Sequence, residues 1–237
     1  MKEFYKTLVH HETQPTPSPR VARKRAARRA RILTVALRLA GEEGLERLTV
    51  TRLAEELDYT AGALYRYFPS KDVLLAEMQR HAIGALHEGL IARLERHAGD
   101  ELGAVVALAD GYLAMLTEQP EHVRLINFML ADPRNLVPDD EVAITAPKLA
   151  ALLAFAGGAL DRAATAGALS PGNAATRTLM MWTALQGATQ LDKMRRFDPV
   201  HFDPRAIGRA LFRSLLVGWG AAPDAVDHAI SALCEEE

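Results

Sequence analysis

The sequence predicts an all-α protein, and three observations lead to that class. Apolar residues recur at three- and four-residue intervals along most of the chain, beginning with Ile32, Leu33, Ala36, Leu37 and Ala40. Alternating β-branched runs and Asn-Gly hairpin signals are absent. Pro120, Pro133, Pro138, Pro147, Pro171, Pro199, Pro204 and Pro223 fall between periodic segments, several where a first helical turn tolerates proline.

The elements follow in order. Residues 1–19 lack helical periodicity, and Pro15, Pro17 and Pro19 alternate with Thr and Ser, which predicts an extended or disordered lead. Arg20, Arg23, Lys24, Arg25, Arg28, Arg29 and Arg31 form a basic run. It reads either as a solvated helix start or as a phosphate-binding arm, and a flexible basic arm is expected over residues 1–26. A first helix is expected from about Ala27 to Gly44, a natural terminator. Thr49 and Thr51 both suit the cap of a second helix carrying Val50, Leu53, Ala54 and Leu57. Asp58-Tyr59 makes a short link. Thr60 is placed to cap a third helix running to about Tyr67, and Ser70, after Phe68-Pro69, to cap a fourth over 71–97. Helices this short are unstable alone and must pack together, with Leu53, Leu57, Leu64 and Phe68 as their shared core. Further helices are expected near 101–118, 121–131, 147–167, 172–195, 204–219 and 223–235.

Composition narrows the function classes. The 237 residues are 49% apolar, enough for one large unit or two modest ones with a substantial core. Residues 1–72 hold 14 Lys and Arg against 9 Asp and Glu, a net of +5, whereas residues 73–237 hold 14 against 21, a net of −7. A basic front on an acidic remainder suggests that the front meets a polyanion. The one cysteine, Cys234, excludes an intramolecular disulfide and fits a reducing compartment. No signal peptide is recognised. The uncharged run from Leu149 to Leu160 is shorter than the roughly 20 residues of a membrane helix. A cytoplasmic protein without membrane contact is therefore expected. An enzyme is not expected. The eight histidines are scattered without a metal-ligand spacing, and G-x-S-x-G, P-loop and dinucleotide fingerprints are missing. Accordingly no catalytic residue, metal or cofactor is assigned.

One segment is far more specific than the rest. Thr49, Leu53, Ala54, Gly62, Leu64, Tyr65, Tyr67, Phe68, Ser70 and Lys71 fall on the pattern T-x-x-x-[IL]-A-x-x-x-G-V-S-x-G-x-[LI]-Y-x-[HY]-F-x-[ST]-K. This stretch resembles the DNA-binding motif of the TetR family of transcriptional regulators. Ala36, Leu39, Ala40, Gly44 and Leu45 fit the family's preceding helix, so the resemblance covers about residues 30–75. Asp58 departs from the usual Gly, though Asp tolerates the left-handed conformation that such a turn demands. Arg213 to Trp219 is similar to the end of some sensor domains of the family, a weaker cue.

The resemblance implies a three-helix helix-turn-helix domain over 27–72 and a larger helical ligand-sensing and dimerisation domain over 73–237. It implies a regulator, a repressor in the first instance, that binds palindromic double-stranded operator DNA as a homodimer and is released by a small hydrophobic effector. Carried onto this chain, Tyr67 and Lys71 become phosphate contacts. Thr60, Ala61, Gly62 and Ala63 start the recognition helix, where small residues permit close approach, and the Ala61 methyl suits a thymine methyl. Arg52 and Arg66 are candidates for guanine, with phosphate or solvent contact as the alternative; Arg28 belongs to the same surface, and Tyr65 is either at DNA or half-buried. The segments 172–195 and 204–219 are the expected dimer helices, with Leu179, Trp182, Leu185, Gln186 and Thr189 on the first and Ile207, Leu211, Leu215 and Trp219 on the second, either at the interface or in the core. A ligand pocket would draw on Tyr112, Met115, Phe128, Met129, Phe155, Met180, Met181, Trp182 and Gln186, with Asn127 and Gln190 as further polar anchors, although the same residues at helical spacing equally suit plain core.

Overall fold

Pro19 at the first helical position opens α1 (Pro19–Glu43) in the computed structural model, which describes residues 18–97, 99–132 and 136–235. Residues 1–17 with His10 and His11, Pro133 and the Cys234 side chain lie outside the described residues. The helix begins eight residues before the expected start near Ala27 and thirteen before the apolar stripe opens at Ile32. Apart from the half-buried Arg29, Pro19–Arg31 is exposed and buries no apolar face, so hydrophobic periodicity cannot reveal it. Its Ala and Arg content favours helix, and proline at the first position loses no hydrogen bond. The portion of the expected flexible arm from Pro19 to Ala26 is thus helical.

Next come α2 (Val50–Glu56), α3 (Ala61–Tyr65) and α4 (Lys71–Glu95). Thr49, not Thr51, caps α2, its hydroxyl accepting from the Arg52 N–H at 3.0 Å. Ser70 caps α4 by accepting from Val73 N at 3.1 Å. Ile32, Ala36, Leu37, Leu53, Leu64, Phe68, Leu74 and Met78 close into one apolar core. Arg29 fixes α1 to α4 by a two-pronged contact with Glu77 at 2.8 and 3.1 Å, and its guanidinium lies 5.1 Å from the Phe68 ring centroid.

The second core is built around α5 (Glu101–Glu118), buried on all sides from Gly103 to Met115. Around it stand the second half of α4, α7 (Asp139–Thr165), α8 (Ala174–Gln190), α9 (Pro204–Gly218) and α10 (Pro223–Glu235). A Cβ on Gly208 would lie 2.6 Å from the Leu113 methyls, so α9 can sit this close to α5 only with glycine there. The buried Asp110 on α5 accepts from Arg209 of α9 at 2.8 Å.

Two elements belong to both cores. On α4, Leu74, Leu75, Met78 and Ala82 join the first, and Ile83, Leu86 and Leu90 the second. On α6 (Pro120–Ala131), Leu125 joins the first and Val123 the second.

Two expected boundaries are corrected. Helix α7 starts at Asp139, not at Pro147, which lies inside it. Pro147 removes one backbone donor, but the turns before it are anchored: the buried Arg80 of α4 donates to Glu141 at 2.6 Å and to Thr145 Oγ1 at 3.2 Å. The helix expected to 195 ends at Gln190, and a 3₁₀ turn (Asp192–Arg196) follows. By length and mean hydropathy (1.6) α7 could cross a bilayer, an option the short run 149–160 did not suggest. Yet its Leu152, Gly157, Ala159, Leu160 and Ala163 are buried where it packs against α4, α5 and α8.

Candidate functional site

The short α3 is held by its inner face. Leu64 and Phe68 are fully buried, while Gly62, Tyr65 and Arg66 are exposed and Ala61, Ala63 and Tyr67 are half-buried. Two local devices set the helix at the surface. Asp58 takes the left-handed conformation at φ 56°, turning the chain out of α2, and Tyr59 N–H closes the turn on the Ala54 carbonyl at 2.9 Å. Thr60 then caps α3, accepting from Ala63 N–H at 3.2 Å. With its hydroxyl accepting this bond, Thr60 still has a proton to donate outward.

Glycine at position 62 is not required by the chain itself. A Cβ there would meet nothing within 4 Å, and the residue does not need a positive φ. What glycine provides is room for something outside the chain to approach the backbone. Beside it, Arg66 is exposed, and its side chain forms no hydrogen bond or ion pair with any described residue. Tyr65 is 48% exposed rather than buried against α1.

The other residues expected on this surface are tied into the fold. The Tyr67 hydroxyl oxygen, as acceptor, holds the Arg28 guanidinium above its ordinary range, and the Arg25 guanidinium lies 6.0 Å from the Tyr67 ring centroid. Arg28 is therefore gathered to Tyr67, together with Arg25, which the sequence marked only as one of seven cations in the basic run because that run has no apolar stripe to set its phase. Lys71 Nζ donates to the carbonyls of Leu45 at 2.8 Å and Glu46 at 3.2 Å, and an ammonium has a third proton to donate. Arg52 is not brought to the open face. It sits between Glu43, at 2.6 Å, and Glu56, at 3.1 Å, and Glu56 also bonds Arg38. The Arg52–Glu56 spacing of four residues is the one sequence signal that could have foretold this.

The second candidate region is a cavity of about 540 Å³ between α4, α5, α6, α7 and α8. Of the pocket residues expected from the sequence, Tyr112, Met129, Met181 and Trp182 line it. Met115 is buried in the core, Phe128 packs on the N-terminal core, the Phe155 ring lies 5.2 Å from that of His87, and Met180 is exposed on α8. These four are corrections, because periodicity places a residue on a face without saying what stands opposite. Gln186 is buried behind the wall, where it accepts from the Tyr112 hydroxyl and donates to Asn127; Thr189 also donates to Asn127, at 3.2 Å, and Trp182 Nε1 donates to the Tyr112 oxygen at 3.3 Å. Burial pushes the Tyr112 phenol up to about 12, only partly offset by the Trp182 bond, so it stays a neutral donor. Gln190 is not among the cavity residues. Sequence reasoning missed most of the apolar wall, such as Ile83, Leu86, Leu108, Leu152 and Leu160, which carry no local mark separating them from core.

Of the helix residues expected at a dimer contact, Leu179 and Leu211 are exposed. Leu185, Gln186 and Thr189 are buried inside the chain, Trp182 is on the cavity wall, and Ile207, Leu215 and Trp219 pack against the C-terminal core.

Comparison with known proteins follows the same division. Residues 32–78 match the family described as bacterial regulatory proteins, tetR family. The chain is 40% identical over 68 residues to the nucleoid occlusion factor SlmA of Haemophilus influenzae, covering 28% of this chain and 31% of that one. It is 41% identical over 71 residues to the HTH-type transcriptional repressor KstR of Mycolicibacterium smegmatis, covering 30% and 33%. The match thus spans about a third of the curated relatives' own length. Over most of its length the fold is similar to the transcriptional regulator FadR of Bacillus subtilis solved with stearoyl-CoA, with TM-score 0.64 at 15% identity, covering 79% of this chain and 97% of that one.

Proposed function

We propose, for a chain that belongs to the tetR family of bacterial regulatory proteins, that it is a cytoplasmic repressor. In this reading it binds palindromic operator DNA as a homodimer and leaves the DNA when a small hydrophobic molecule fills the cavity. The observation that carries the DNA part is α3: a capped helix anchored by Leu64 and Phe68, with an Arg66 side chain that has no partner among the described residues and a glycine that leaves room for an outside one. Arg66 is assigned to a base edge. Tyr67, Lys71 and Arg28 are assigned to phosphates, and Thr60, Ala61, Gly62, Ala63 and Tyr65 to the surface that enters the major groove. Arg52 serves this surface through Glu43 and Glu56, by bracing α2 against α1. Residues 27–72 act as the DNA-binding domain and residues 73–237 as the sensor and dimer domain.

The dimer face is assigned to α8 and α9. Leu179 and Met180 on α8 are 48% and 46% exposed, and on α9 the exposed Leu211 is flanked by Ala210, Ser214 and Gly218 on one helical face. Small residues beside an apolar one let helices of two copies approach closely, and closed two-fold pairing matches two half-sites.

Effector control runs through the two shared helices. Ile126, Met129 and Leu130 of α6 line the cavity, while Leu125, Phe128 and Met129 of the same helix pack on the N-terminal core. Gln79, Ile83 and Leu86 of α4 do likewise on the other side. A ligand that binds better when α4 and α6 are displaced would favour the state that no longer fits DNA, with a coupling of about 1–3 kcal/mol. That a fold neighbour was solved with stearoyl-CoA supports the cavity as the effector site.

In vitro selection of genomic fragments by the full chain tests the proposal. An enriched inverted repeat, bound with a steep salt dependence, is the expected result. Recovery of no common sequence would overturn it.

A further inference from the structure

We infer that the start of α6 is a proton-sensitive joint: a proton taken up by the His81–His122 pair shifts α6 against α1 and weakens DNA binding. This joint presupposes the reading of α3 as the DNA-binding helix and gives that helix a second input, apart from the cavity.

The joint occupies little more than one turn. Arg124 of α6 donates to the Gly41 carbonyl of α1 at 3.0 Å, and a Cβ on Gly41 would lie 3.5 Å from the Glu121 Cβ. The two side chains thus seat the end of α1. Between them in sequence, His122 is 6% exposed, and its ring lies 5.8 Å from that of His81 on α4, tilted by 31°. Val123 enters the second core and Leu125 the first. A shift of this turn is therefore felt by both cores.

The same turn is short of hydrogen bonds. Both ring nitrogens of His122 and the Oε1 of Gln119, the residue that opens α6, are buried without a hydrogen-bond partner among the described residues. Each such atom costs about 1–3 kcal/mol relative to a hydrated one. An arrangement that returns them to water recovers part of that cost, so the packed turn has a competitor.

A proton on His122 favours the competitor. In place, the imidazolium would be buried beside a second imidazole, with Glu121 Oε1 at 3.6 Å from Nδ1. Drawing Glu121 in to meet the charge moves the side chain that packs on Gly41, and swinging the turn outward hydrates the ring; either response disturbs the seat of α1. The helices packed on α6 are α1, α4, α5 and α8. Of their charged groups in the turns flanking these contacts, Arg38 and Glu42 of α1 pair with each other, Glu77 and Arg80 of α4 do likewise, and Glu118 of α5 pairs with Arg93. Helix α8 carries no charged residue after Arg177. His81 and Glu121 are thus the titratable groups left to answer a charge on His122. Burial, reinforced by His81 and partly opposed by Glu121, lowers the His122 pKa in the packed arrangement, so acid favours the arrangement that exposes the ring.

The test titrates the full chain onto the inverted repeat recovered by selection, by fluorescence anisotropy at fixed salt and a series of pH values. Affinity is expected to fall by about tenfold for each chain bound between about pH 7.5 and about pH 5.5, the extent available to one group whose exposed value is about 6.5. Protons gained elsewhere add positive charge and tighten DNA binding, so the background has the opposite sign. His122→Phe and His122→Leu should each bind as the parent does at pH 8 and lose most of the fall. His81→Gln should make the fall smaller, and the exposed His201→Gln should leave it intact. Affinity that holds or rises down to pH 5.5 would overturn the joint and leave the DNA-binding helix standing. A fall retained by both His122 variants, or one that tracks loss of helix by circular dichroism at the same pH, would also overturn it. Failure to bind at any pH would overturn the DNA-binding reading itself.

Discussion

Position 62 separates what the chain needs for itself from what its partner needs. Since a Cβ meets nothing there, Gly62→Ala should fold as well as the parent or slightly better, alanine being the stronger helix former. If DNA approaches the backbone there as proposed, the added methyl takes up that space, and operator affinity is expected to fall by about tenfold, or ~1.4 kcal/mol. Thermal melting alongside a gel-shift titration separates the two effects; an unchanged affinity would remove the close approach. Arg66 makes the complementary case. As its side chain has no partner among the described residues, Arg66→Ala should leave stability alone and relax choice at one base pair by about 1–3 kcal/mol. Lys71 behaves differently because it holds two carbonyls of the α1–α2 turn, so removing it also loosens the domain.

Among the elements, α4 and α6 join the two cores, and two buried groups mark how they are held. Arg80 is 7% exposed and bonds Glu77, Glu141 and Thr145, tying α4 to the start of α7. Burial works against the ionised Glu77, but hydrogen bonds from Arg80 and Arg29 outweigh it and hold its carboxyl below the usual range. Arg80→Met would strand these carboxylates and is expected to cost about 3 kcal/mol, with loss of helical protection between residues 139 and 147 by hydrogen exchange. On α6, His122 is buried, its ring 5.8 Å from that of His81 on α4, and neither ring nitrogen is hydrogen-bonded to a described residue. Burial, reinforced by His81 and only partly opposed by Glu121, lowers its pKa. A base held neutral in the fold contributes its full stability above its unfolded value, about 6.5. That contribution is lost as pH falls below this value, because the unfolded chain then takes the proton first. His122→Phe should therefore flatten the fall in melting temperature between about pH 7 and pH 5; an unaltered slope would mean that other groups cause it.

For the whole molecule, the open question is the pairing of two chains. Leu179, Met180 and Leu211 are large apolar groups left in water by one chain, next to the small residues of α9. Placing a charge among them, as in Leu179→Glu, costs little in one chain, because the residue is already half exposed. In a dimer it would bury an unpaired carboxylate. Light scattering should show a dimer for the parent and a shift toward monomer for the variant, with operator affinity falling in step because two half-sites need two chains. A parent that is monomeric at micromolar concentration would move the interface elsewhere or remove it.

The sequence by itself determined the helical class, the caps at Thr60 and Ser70, a left-handed turn tolerated at Asp58, and a DNA-binding motif whose buried and exposed positions fall where its pattern requires, and it narrowed the α2 cap to Thr49 or Thr51. These are local matters, since a cap, a turn or a helical face is decided by residues three or four apart. Only the tertiary structure decided that Arg52 lies between two carboxylates, that α7 runs through Pro147, and that Tyr112 and Trp182 line a cavity while Met115 fills the core. Each of these depends on a group brought near from a distant part of the chain. Apolar side chains facing a void and apolar side chains facing one another leave the same periodic mark, so the chain folded in space, not its local pattern, separates a wall from a core.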